Sequence, residues 1–493
     1  MFIGMDLGTS ELKLLLLDER HQVLATVSEP LQVSRPQPLW SEQAPGDWWT
    51  ATDAAMVRLA AAEPEAMRRV RAIGLSGQMH GAVVLDANDM VLRPAILWND
   101  GRSGAECEWL MQALPQLPAI AGNLAMPGFT APKLVWLSRH EPALFERIAS
   151  VLLPKDWLRL QLTGDKVSEM SDAAGTLWLD VAKRDWSDEL LTACGLSRGQ
   201  MPRLVEGSEV SGRLRSSLAQ RWGLPADVLV AGGGGDNAAS AVGIGAVRPG
   251  QGFLSLGTSG VLFVCNDRFR PNPASAVHAF CHALPGRWHQ MSVMLSAASC
   301  LAWAAKLTGQ PDVATLLAQA ATLSEAEKAA APMFLPYLSG ERTPHNNPHA
   351  SGSLSGLTHE HGPAHIAHAV MEGVAFGLRD GWRALAAAGT EVGELSLVGG
   401  GARSALWAQM LASALDLPLV GHAGSEAGGA LGAARLGWLA AGGDEALVCI
   451  APPVAQRWLP EPAERERLLA RYARFTSLYP ALHPTPHPAA PSH

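Results

Sequence analysis

An aspartate at the end of a glycine run is the strongest candidate for chemistry in this sequence. The apolar segment 228–231 (VLVA) is followed by four glycines and then by Asp236 and Asn237. Glycine lets the backbone turn tightly and approach a ligand closely. A carboxylate between such a turn and a helix could take the proton from a hydroxyl group that acts as a nucleophile. Aspartate is also a favoured N-cap residue, so the purely structural interpretation stays open.

A second carboxylate, Asp6, lies in a strand-and-turn motif that occurs twice. The first copy is 2–10 (FIGMDLGTS), followed by the apolar run 12–15, and the second is 253–260 (FLSLGTSG), followed by 261–264. The hydroxyl groups and the N–H groups of a Gly-Thr-Ser turn can bind phosphate oxygens. Two such hairpins predict two related domains that face each other and share one nucleotide, which favours phosphoryl transfer.

A further glycine run, Gly399-Gly400-Gly401, follows the apolar segment 395–398 (LSLV). We interpret it as the counterpart of the run before Asp236, because both follow a buried-looking strand and precede a helix. Only the first run ends in a carboxylate. The two scaffolds are therefore expected to differ in role, one serving acid–base chemistry and the other holding a ligand.

Length and composition indicate a globular protein with two large domains. The chain has 493 residues, which is too long for one compact core. Hydrophobic residues make up 48% of the chain and charged residues 17%. The net charge of −8 gives no reason to expect binding to nucleic acid or to a membrane surface. The sequence contains no uninterrupted apolar run of membrane-spanning length, and the early acidic residue argues against a signal peptide. Six scattered cysteines indicate neither zinc nor disulfides and favour the cytoplasm.

Strand and helix patterns alternate along the chain, which predicts an α/β fold of mixed sheets flanked by helices. Strands are expected at 2–7, 12–17, 72–76, 81–86, 228–231, 253–256, 261–265 and 395–398, and helices at 47–61, 103–113, 132–139, 297–307, 365–388 and 404–415. Pro249-Gly250 breaks the chain between the halves. We expect a first domain at 1–246, a second at 247–479 and a disordered proline-rich tail at 480–493.

With these motifs the chain resembles the FGGY family of carbohydrate kinases, within the actin, sugar-kinase and Hsp70 superfamily. The resemblance runs from the first Gly-Thr-Ser turn to about residue 438. It includes 77–81 (GQMHG), 95–102 (AILWNDGR), 153–156 (LPKD), 171–176 (SDAAGT) and 337–345 (YLSGERTPH). One departure is the fourth glycine before Asp236, since the family more often shows three or fewer.

The resemblance implies two ribonuclease H-like domains around a nucleotide cleft, with ATP and Mg²⁺ as cofactors and a small-molecule ketose as substrate. It is strongest to the members that phosphorylate D-xylulose. Kinases of another ketose or polyol (ribulose, fuculose, gluconate) remain alternatives, and so does a nucleotide-driven switch of the same superfamily. A homodimer is a possible assembly.

On the nucleotide side, the resemblance implies that Asp236 is the catalytic base and that Asp6 holds Mg²⁺, directly or through water. Asp6 could instead be a turn aspartate that bonds its own backbone. Thr9 and Lys13 would flank the phosphates, although Lys13 could instead be a solvated strand lysine. The other implied nucleotide-binding residues, at the phosphates and then along the adenosine, are Gly257, Thr258, Gly400, Gly401 and Ser404.

On the sugar side, the resemblance implies binding by Met79 and His80, with Asn237 and Gln78. A ketose offers hydroxyl groups and a carbonyl, which neutral donors and acceptors match. His80 could instead be a structural histidine at a turn. Trp98 could stack on the sugar or belong to the core. The loop at 341–344 (ERTP) is expected to hold the fold or the domain contact, with no chemistry assigned.

Overall fold

The computed structural model describes residues 1–423 and 428–483. The strands of the first half are β1 Phe2–Leu7, β2 Glu11–Leu17, β3 Val23–Pro30, β4 Glu42–Gln43, β5 Ala72–Gly77, β6 Val83–Leu85, β7 Ala95–Ile96, β8 Ser150–Leu152, β9 Val167–Glu169, β10 Leu179–Asp180, β11 Asp185–Trp186, β12 Arg203–Val205, β13 Val210–Arg213, β14 Leu229–Ala231 and β15 Gly234–Gly235. Its helices are α1 Pro45–Ala62, α2 Pro64–Met67, α3 Gly104–Ala113, α4 Leu117–Ala121, α5 Thr130–His140, α6 Pro142–Phe145, α7 Pro154–Thr163, α8 Met170–Ala174, α9 Asp188–Ala193, α10 Ser216–Trp222 and α11 Asp236–Ile244.

The second half continues the same alternation. Its strands are β16 Gln251–Leu256, β17 Gly260–Asn266, β18 His278–Cys281, β19 Trp288–Met294, β20 Met333–Leu335, β21 Ser353–Ser355, β22 Glu394–Val398, β23 Leu419–His422 and β24 Val454–Trp458. Its helices are α12 Ser299–Leu307, α13 Val313–Ala320, α14 Glu325–Ala330, α15 Pro363–Ala387, α16 Ala405–Leu415, α17 Gly428–Ala440, α18 Glu445–Val448 and α19 Pro462–Leu482.

Two large mixed sheets with the same topology form the framework. The first has the order β3-β2-β1-β5-β14-β13, and the second has β19-β17-β16-β22-β23-β24 with β18 added beyond β19. Each sheet contains an antiparallel hairpin, β1–β2 in the first and β16–β17 in the second. The two strands that follow in the sheet order run parallel to the first strand of the hairpin; they are β5 and β14 in the first sheet and β22 and β23 in the second. The central strands β1, β2 and β5 are mostly buried, as their continuous apolar sequence predicts for sheets covered on both faces. The prediction of two related α/β domains is confirmed.

The shared strand order corrects the predicted pairing of the glycine runs. Strand β22, which precedes Gly399, occupies the position of β5 in the first sheet, and β14, which precedes Asp236, matches β23. The counterpart of the turn at Gly399 is therefore the turn at Gly77 and the residues after it. The pairing was wrong because a short apolar strand followed by glycines occurs at two neighbouring positions of the same sheet.

Helices α11 and α17 lie between the two sheets and connect them. Although α17 belongs to the second half of the chain, it packs on β1 and β5 of the first sheet. The close approach requires Gly4 and Gly74, where a Cβ atom would collide with the backbone of α17 at Ala430 and Ala433. A simple cut near residues 246–250 does not capture this exchange, and the predicted domain limits stay a prediction.

The end of the chain differs from the prediction at its first residues. Helix α19 runs through Leu482 and contains Pro480, so residues 480–482 are helical. The rest of the predicted tail, 484–493, lies outside the described residues. Among the helices that the structure describes, none combines the length and the apolar character needed to cross a lipid bilayer.

Candidate active site

Asp236 is the first residue of α11, where the glycine run leaves the first sheet. Strand β15 of this run pairs with β5, and Gly233 turns at φ +80°, where a Cβ atom would collide with the backbone of Leu75. The N-cap residue is Gly235, and the helix has no side-chain capping bond, so the N-cap interpretation of Asp236 is wrong. Its Oδ1 accepts hydrogen bonds from the backbone N of Asn237 (2.7 Å) and from Asn237 Nδ2 (2.8 Å).

The two predicted carboxylates influence each other electrostatically. Burial, and secondarily the negative charge of Asp6, raise the pKa of Asp236 to about 6. Burial also raises the pKa of Asp6. The hydrogen bond that Ser76 Oγ donates to Asp6 Oδ1 (2.8 Å) acts in the opposite direction, because it stabilises the charged carboxylate. At neutral pH Asp236 is therefore mostly ionised and still weakly basic, which suits a group that takes a proton.

The first turn of helix α17 lies against Asp6. A Cβ atom on Gly429 would come within 2.8 Å of Asp6 Oδ2 and of Ser76 Oγ, so the helix backbone lies directly against the carboxylate. The N-terminus of α11 is occupied by Asp236 itself. Two helix N-termini therefore converge on the two carboxylates, and free N–H groups at helix N-termini favour bound anions such as phosphate.

A buried polar network supports the glycine run from behind. Ser171 Oγ accepts a hydrogen bond from the backbone N of Gly235 (3.0 Å) and donates to the carboxylate of Glu169 (2.8 Å). The guanidinium of Arg159 donates to the carbonyl oxygen of Gly232. Sequence reasoning marked the segment 171–176 only through the family resemblance. It missed Arg159, because nothing in a helical arginine indicates which distant carbonyl it will reach.

Thr9 and Gln78 belong to a second hydrogen-bonded network. Thr9 Oγ1 donates to Gln78 Oε1 (3.0 Å) and accepts from Trp98 Nε1 (2.9 Å), while Gln78 Nε2 donates to Gln43 Oε1 (2.9 Å). Gln78 is only 2% exposed, and its amide is used internally. This geometry gives Gln78 a supporting role and argues against the predicted direct contact with a sugar. Trp98 is 48% exposed, which excludes the core alternative for its indole.

Met79 and His80 follow β5 and lie beside the glycine run. A Cβ atom on Gly235 would come within 2.9 Å of Met79 Cγ and Sδ, so Met79 is adjacent to the base. His80 adopts φ +69°, and Lys133 Nζ fixes this turn by donating to the carbonyl oxygen of His80 (2.8 Å). His80 Nδ1 lies 2.6 Å from the carbonyl oxygen of Gly175, so Nδ1 carries the proton. Burial lowers the pKa of His80 to about 3, leaving a neutral ring with Nε2 as an acceptor.

The second hairpin turn lies at the start of α12. The backbone N of Ala298 donates to the carbonyl oxygen of Gly257 (2.8 Å), and the backbone N of Ala297 donates to that of Thr258 (2.9 Å). Thr258 is exposed at the turn. In the first hairpin, Lys13 stands opposite Asp6 in the strand register but pairs with Glu11 (3.1 Å). Both predicted uses of Lys13, at a phosphate or in solvent, are compatible with this partly exposed position.

A cavity of about 750 Å³ joins the glycine run of the second domain to α11 of the first. Its walls include Gly400, Asn237 and Ser240, and its size lies within the range of small-molecule sites. A Cβ atom on Gly400 would meet no atom within 4 Å in the described chain, whereas one on Gly401 would press on Leu256. Ser404 is the N-cap of α16 and accepts from the backbone N of Trp407 (3.3 Å), so its hydroxyl is committed to the helix.

The carboxylates also allow a test of whether Mg²⁺ fits. Among residues 1–423 and 428–483, no group of three or more His, Cys, Asp or Glu side chains could hold a metal by itself. Asp6 and Asp236 nevertheless carry neighbouring negative charges, and Lys13 is paired with Glu11. This donor set fits an ion that has few protein ligands and is held mainly by phosphates and water, as Mg²⁺ often is.

Comparison with known proteins agrees with this fold. Residues 1–243 match the N-terminal domain and residues 252–441 the C-terminal domain of the FGGY family of carbohydrate kinases. The chain is 55% identical over 487 residues to a xylulose kinase of Escherichia coli (strain K12), covering 98% of this chain and 99% of that protein. It is 58% identical over 441 residues to a xylulose kinase of Klebsiella pneumoniae, covering 89% of this chain and 90% of that protein.

A solved structure shows the same architecture. The crystal structure of a xyloylose kinase from Brucella ovis superposes with a TM-score of 0.95 at 52% identity, and covers 98% of this chain and 99% of that one. Two family models and two close relatives thus agree over nearly the whole length. The chain belongs to the FGGY family of carbohydrate kinases.

Proposed function

We propose that the protein transfers the terminal phosphoryl group of ATP to D-xylulose and produces D-xylulose 5-phosphate. The substrate is inferred from the near full-length identity to xylulose kinases. The chemistry is inferred from one observation above all, the carboxylate of Asp236 at the N-terminus of α11 between Met79 on one side and the cavity wall at Asn237 on the other.

Asp236 acts as the general base. A sugar hydroxyl group is a weak nucleophile, and its proton must leave as the new P–O bond forms. The pKa of about 6 keeps the carboxylate ionised at neutral pH, and the two bonds from Asn237 hold Oδ1 in place. Its Oδ2 is then the atom that accepts the proton.

ATP lies across the two domains, with its adenosine beside Gly400 and Gly401 and its phosphates between Thr9 and the turn at Gly257 and Thr258. In support of this placement, a Cβ atom on Gly400 would meet no atom of the described residues within 4 Å. Asp6 would hold Mg²⁺ beside the phosphates, and the ion would there neutralise charge that develops on the transferring group. The converging N-termini of α11 and α17 provide N–H groups to the same phosphates. Met79, His80 and Asn237 bind the sugar.

Two further inferences concern the setting of the enzyme. The six cysteines, all within the described ranges, are free and buried, which supports a reducing compartment and hence the cytoplasm. A homodimer remains a prediction that light scattering of the purified protein would test.

A panel of sugars tests the proposed reaction. Purified protein with ATP and Mg²⁺ is given pentuloses, hexuloses and polyols, and ADP release is followed in a coupled assay, with the product identified by ³¹P NMR. We expect D-xylulose to give the highest kcat/KM. A clearly higher value for ribulose, fuculose or gluconate would replace the substrate, and ATP hydrolysis that no sugar stimulates would support a nucleotide-driven switch instead.

A further inference from the structure

Arg342, in the loop to which no chemistry was assigned, approaches the ring cluster that contains His80, a residue of the proposed sugar site. The loop is fixed to the edge of the second sheet on both sides of the arginine. Glu341 Oε1 accepts from the backbone N of Leu295 (3.1 Å), and Thr343 Oγ1 donates to the carbonyl oxygen of Ala276 (3.0 Å). Its position is therefore determined by the fold of the second domain.

The guanidinium reaches a cluster of rings that both domains share. Arg342 Nη1 lies 3.4 Å from His278 Nε2 on β18. The ring of Phe129 lies 5.6 Å from that of His278 and 4.6 Å from that of His80. Phe280, also on β18, lies 6.2 Å from His80. The positive charge of Arg342 is close enough to contribute to the lowered pKa of His80. Arg342 and His80 therefore face the same region from opposite domains.

The protonation of the rings follows from their partners. Asn123 Nδ2 donates to two carbonyl oxygens, so its Oδ1 is the atom that faces His278 Nδ1 at 2.8 Å. His278 Nδ1 is therefore the donor. Burial and the Arg342 charge lower the pKa of His278 well below its usual value, and the neutral ring offers Nε2 as an acceptor to Arg342.

The charge of Arg342 has no carboxylate partner in the described chain. Glu341, its neighbour, uses its carboxylate on backbone N–H groups, and burial raises the pKa of Glu341 to about 8. Within the described residues, Nη1 is the only side-chain nitrogen of Arg342 that bonds to protein. The other two nitrogens, Nε and Nη2, are accessible to solvent. Arg342 is partly buried, and a guanidinium with free donors beside the proposed sugar site is able to bind ligand oxygens.

We propose that Arg342 is a sugar-binding residue supplied by the second domain. It donates to the carbonyl oxygen, and to the adjacent hydroxyl oxygen, at the end of the ketose remote from Asp236, while His80 Nε2 accepts from a hydroxyl group there. An α-hydroxyketone presents this combination of acceptor and donor. The bound ketose thus links the two domains, and its carbonyl group is distinguished from the alcohol of a polyol. This proposal rests on the proposed function.

Substitution of Arg342 tests it, with Arg268→Met, an exposed arginine of the same domain, as the matched control. Arg342→Met should raise the KM for D-xylulose about tenfold to a hundredfold, the effect of losing a charged hydrogen bond. The KM for ATP, the sugar-independent ATP hydrolysis and the melting temperature should stay near the parental values. Arg342→Lys, which keeps the charge without the planar fork, should fall between.

Reduced analogues of the sugar give the second readout. In the parental enzyme D-xylulose should bind more tightly than its polyols D-arabinitol and xylitol, and Arg342→Met should narrow that difference. An unchanged KM for D-xylulose, an effect on ATP alone, or equal losses for the ketose and the polyols would overturn the proposal. If the parental enzyme does not act on D-xylulose, the proposed function fails separately, and the same variants are compared on the best ketose of the panel.

Discussion

Replacing the base should stabilise the protein, by an amount that depends on pH. Asp236→Asn keeps an oxygen that can accept both bonds from Asn237 but removes a charge from a buried position. The pKa of this carboxyl is about 6 in the folded protein, against an ordinary value of 3.8. Since one pKa unit corresponds to about 1.4 kcal/mol, the charged form costs the parental protein about 3 kcal/mol of folding free energy above pH 6.

The sign of the pH dependence follows from the raised pKa. Below about pH 4 the carboxyl is protonated in both the folded and the unfolded chain, so its burial carries no charge penalty. As the pH rises from about 4 to about 6, the carboxyl ionises in the unfolded chain but stays protonated in the folded protein, so the parental stability falls. Above pH 6 the carboxyl is ionised in both states, and the loss of stability is complete. The variant should therefore melt higher by several degrees at pH 8, and the difference should vanish toward pH 4.

Thermal melting followed by circular dichroism between pH 4.5 and 8, without ligands, measures this difference. Asp86→Asn is the matched control, because Asp86 also accepts a backbone N–H bond, from Asn88 at 2.8 Å, but lies outside the cleft. Equal melting temperatures of Asp236→Asn and the parental protein at pH 8, or a difference that does not change with pH, would refute the reasoning that this carboxylate is destabilised by burial.

Three further substitutions probe other parts of the site. His80→Ala should raise the KM for the sugar about tenfold and leave the KM for ATP nearly unchanged; steady-state kinetics with damage confined to ATP would contradict the assignment of His80. Gly400→Val should weaken ATP binding in calorimetry without lowering the melting temperature, because its Cβ would meet no atom of the described residues within 4 Å. Gly393→Val is the control and should leave ATP binding unchanged, since a Cβ there also meets no described atom within 4 Å but Gly393 does not line this cavity. Ser171→Ala should lower kcat about tenfold, because it releases the backbone of Gly235. The control Ser168→Ala removes a buried hydroxyl that is bonded to Asp156 and should lower kcat less. Equal losses of kcat in the two variants would show that the Ser171 hydroxyl is merely structural.

The sequence predicted the elements that carry local signals. The hairpin motifs, the strand before Asp236 and the long helix at 365–388 were expected close to their observed bounds, because apolar periodicity and glycine turns act within a few residues. The family resemblance and the two-domain α/β fold were confirmed as well.

The sequence could not predict contacts that depend on the assembled sheets. Glycines 4 and 74 gave no sign that α17, more than 350 residues later, would lie on them. The commitment of Gln78 to Thr9, and the reach of Arg342 to His278, also depend on loops that meet only in the folded protein. A glutamine or an arginine in a loop carries no local pattern that names its partner.

Phosphoryl transfer by Asp236→Asn in a single turnover tests the central claim most directly. Rapid-quench kinetics with saturating ATP, Mg²⁺ and D-xylulose would measure the rate, after calorimetry has shown that both ligands still bind with parental affinity. If Asp236 is the base, the rate should fall on the order of 10²–10⁴-fold, because the amide cannot accept the proton from the sugar. A variant that keeps more than about a third of the parental rate, well above the range for a lost general base, would show that Asp236 is not the base.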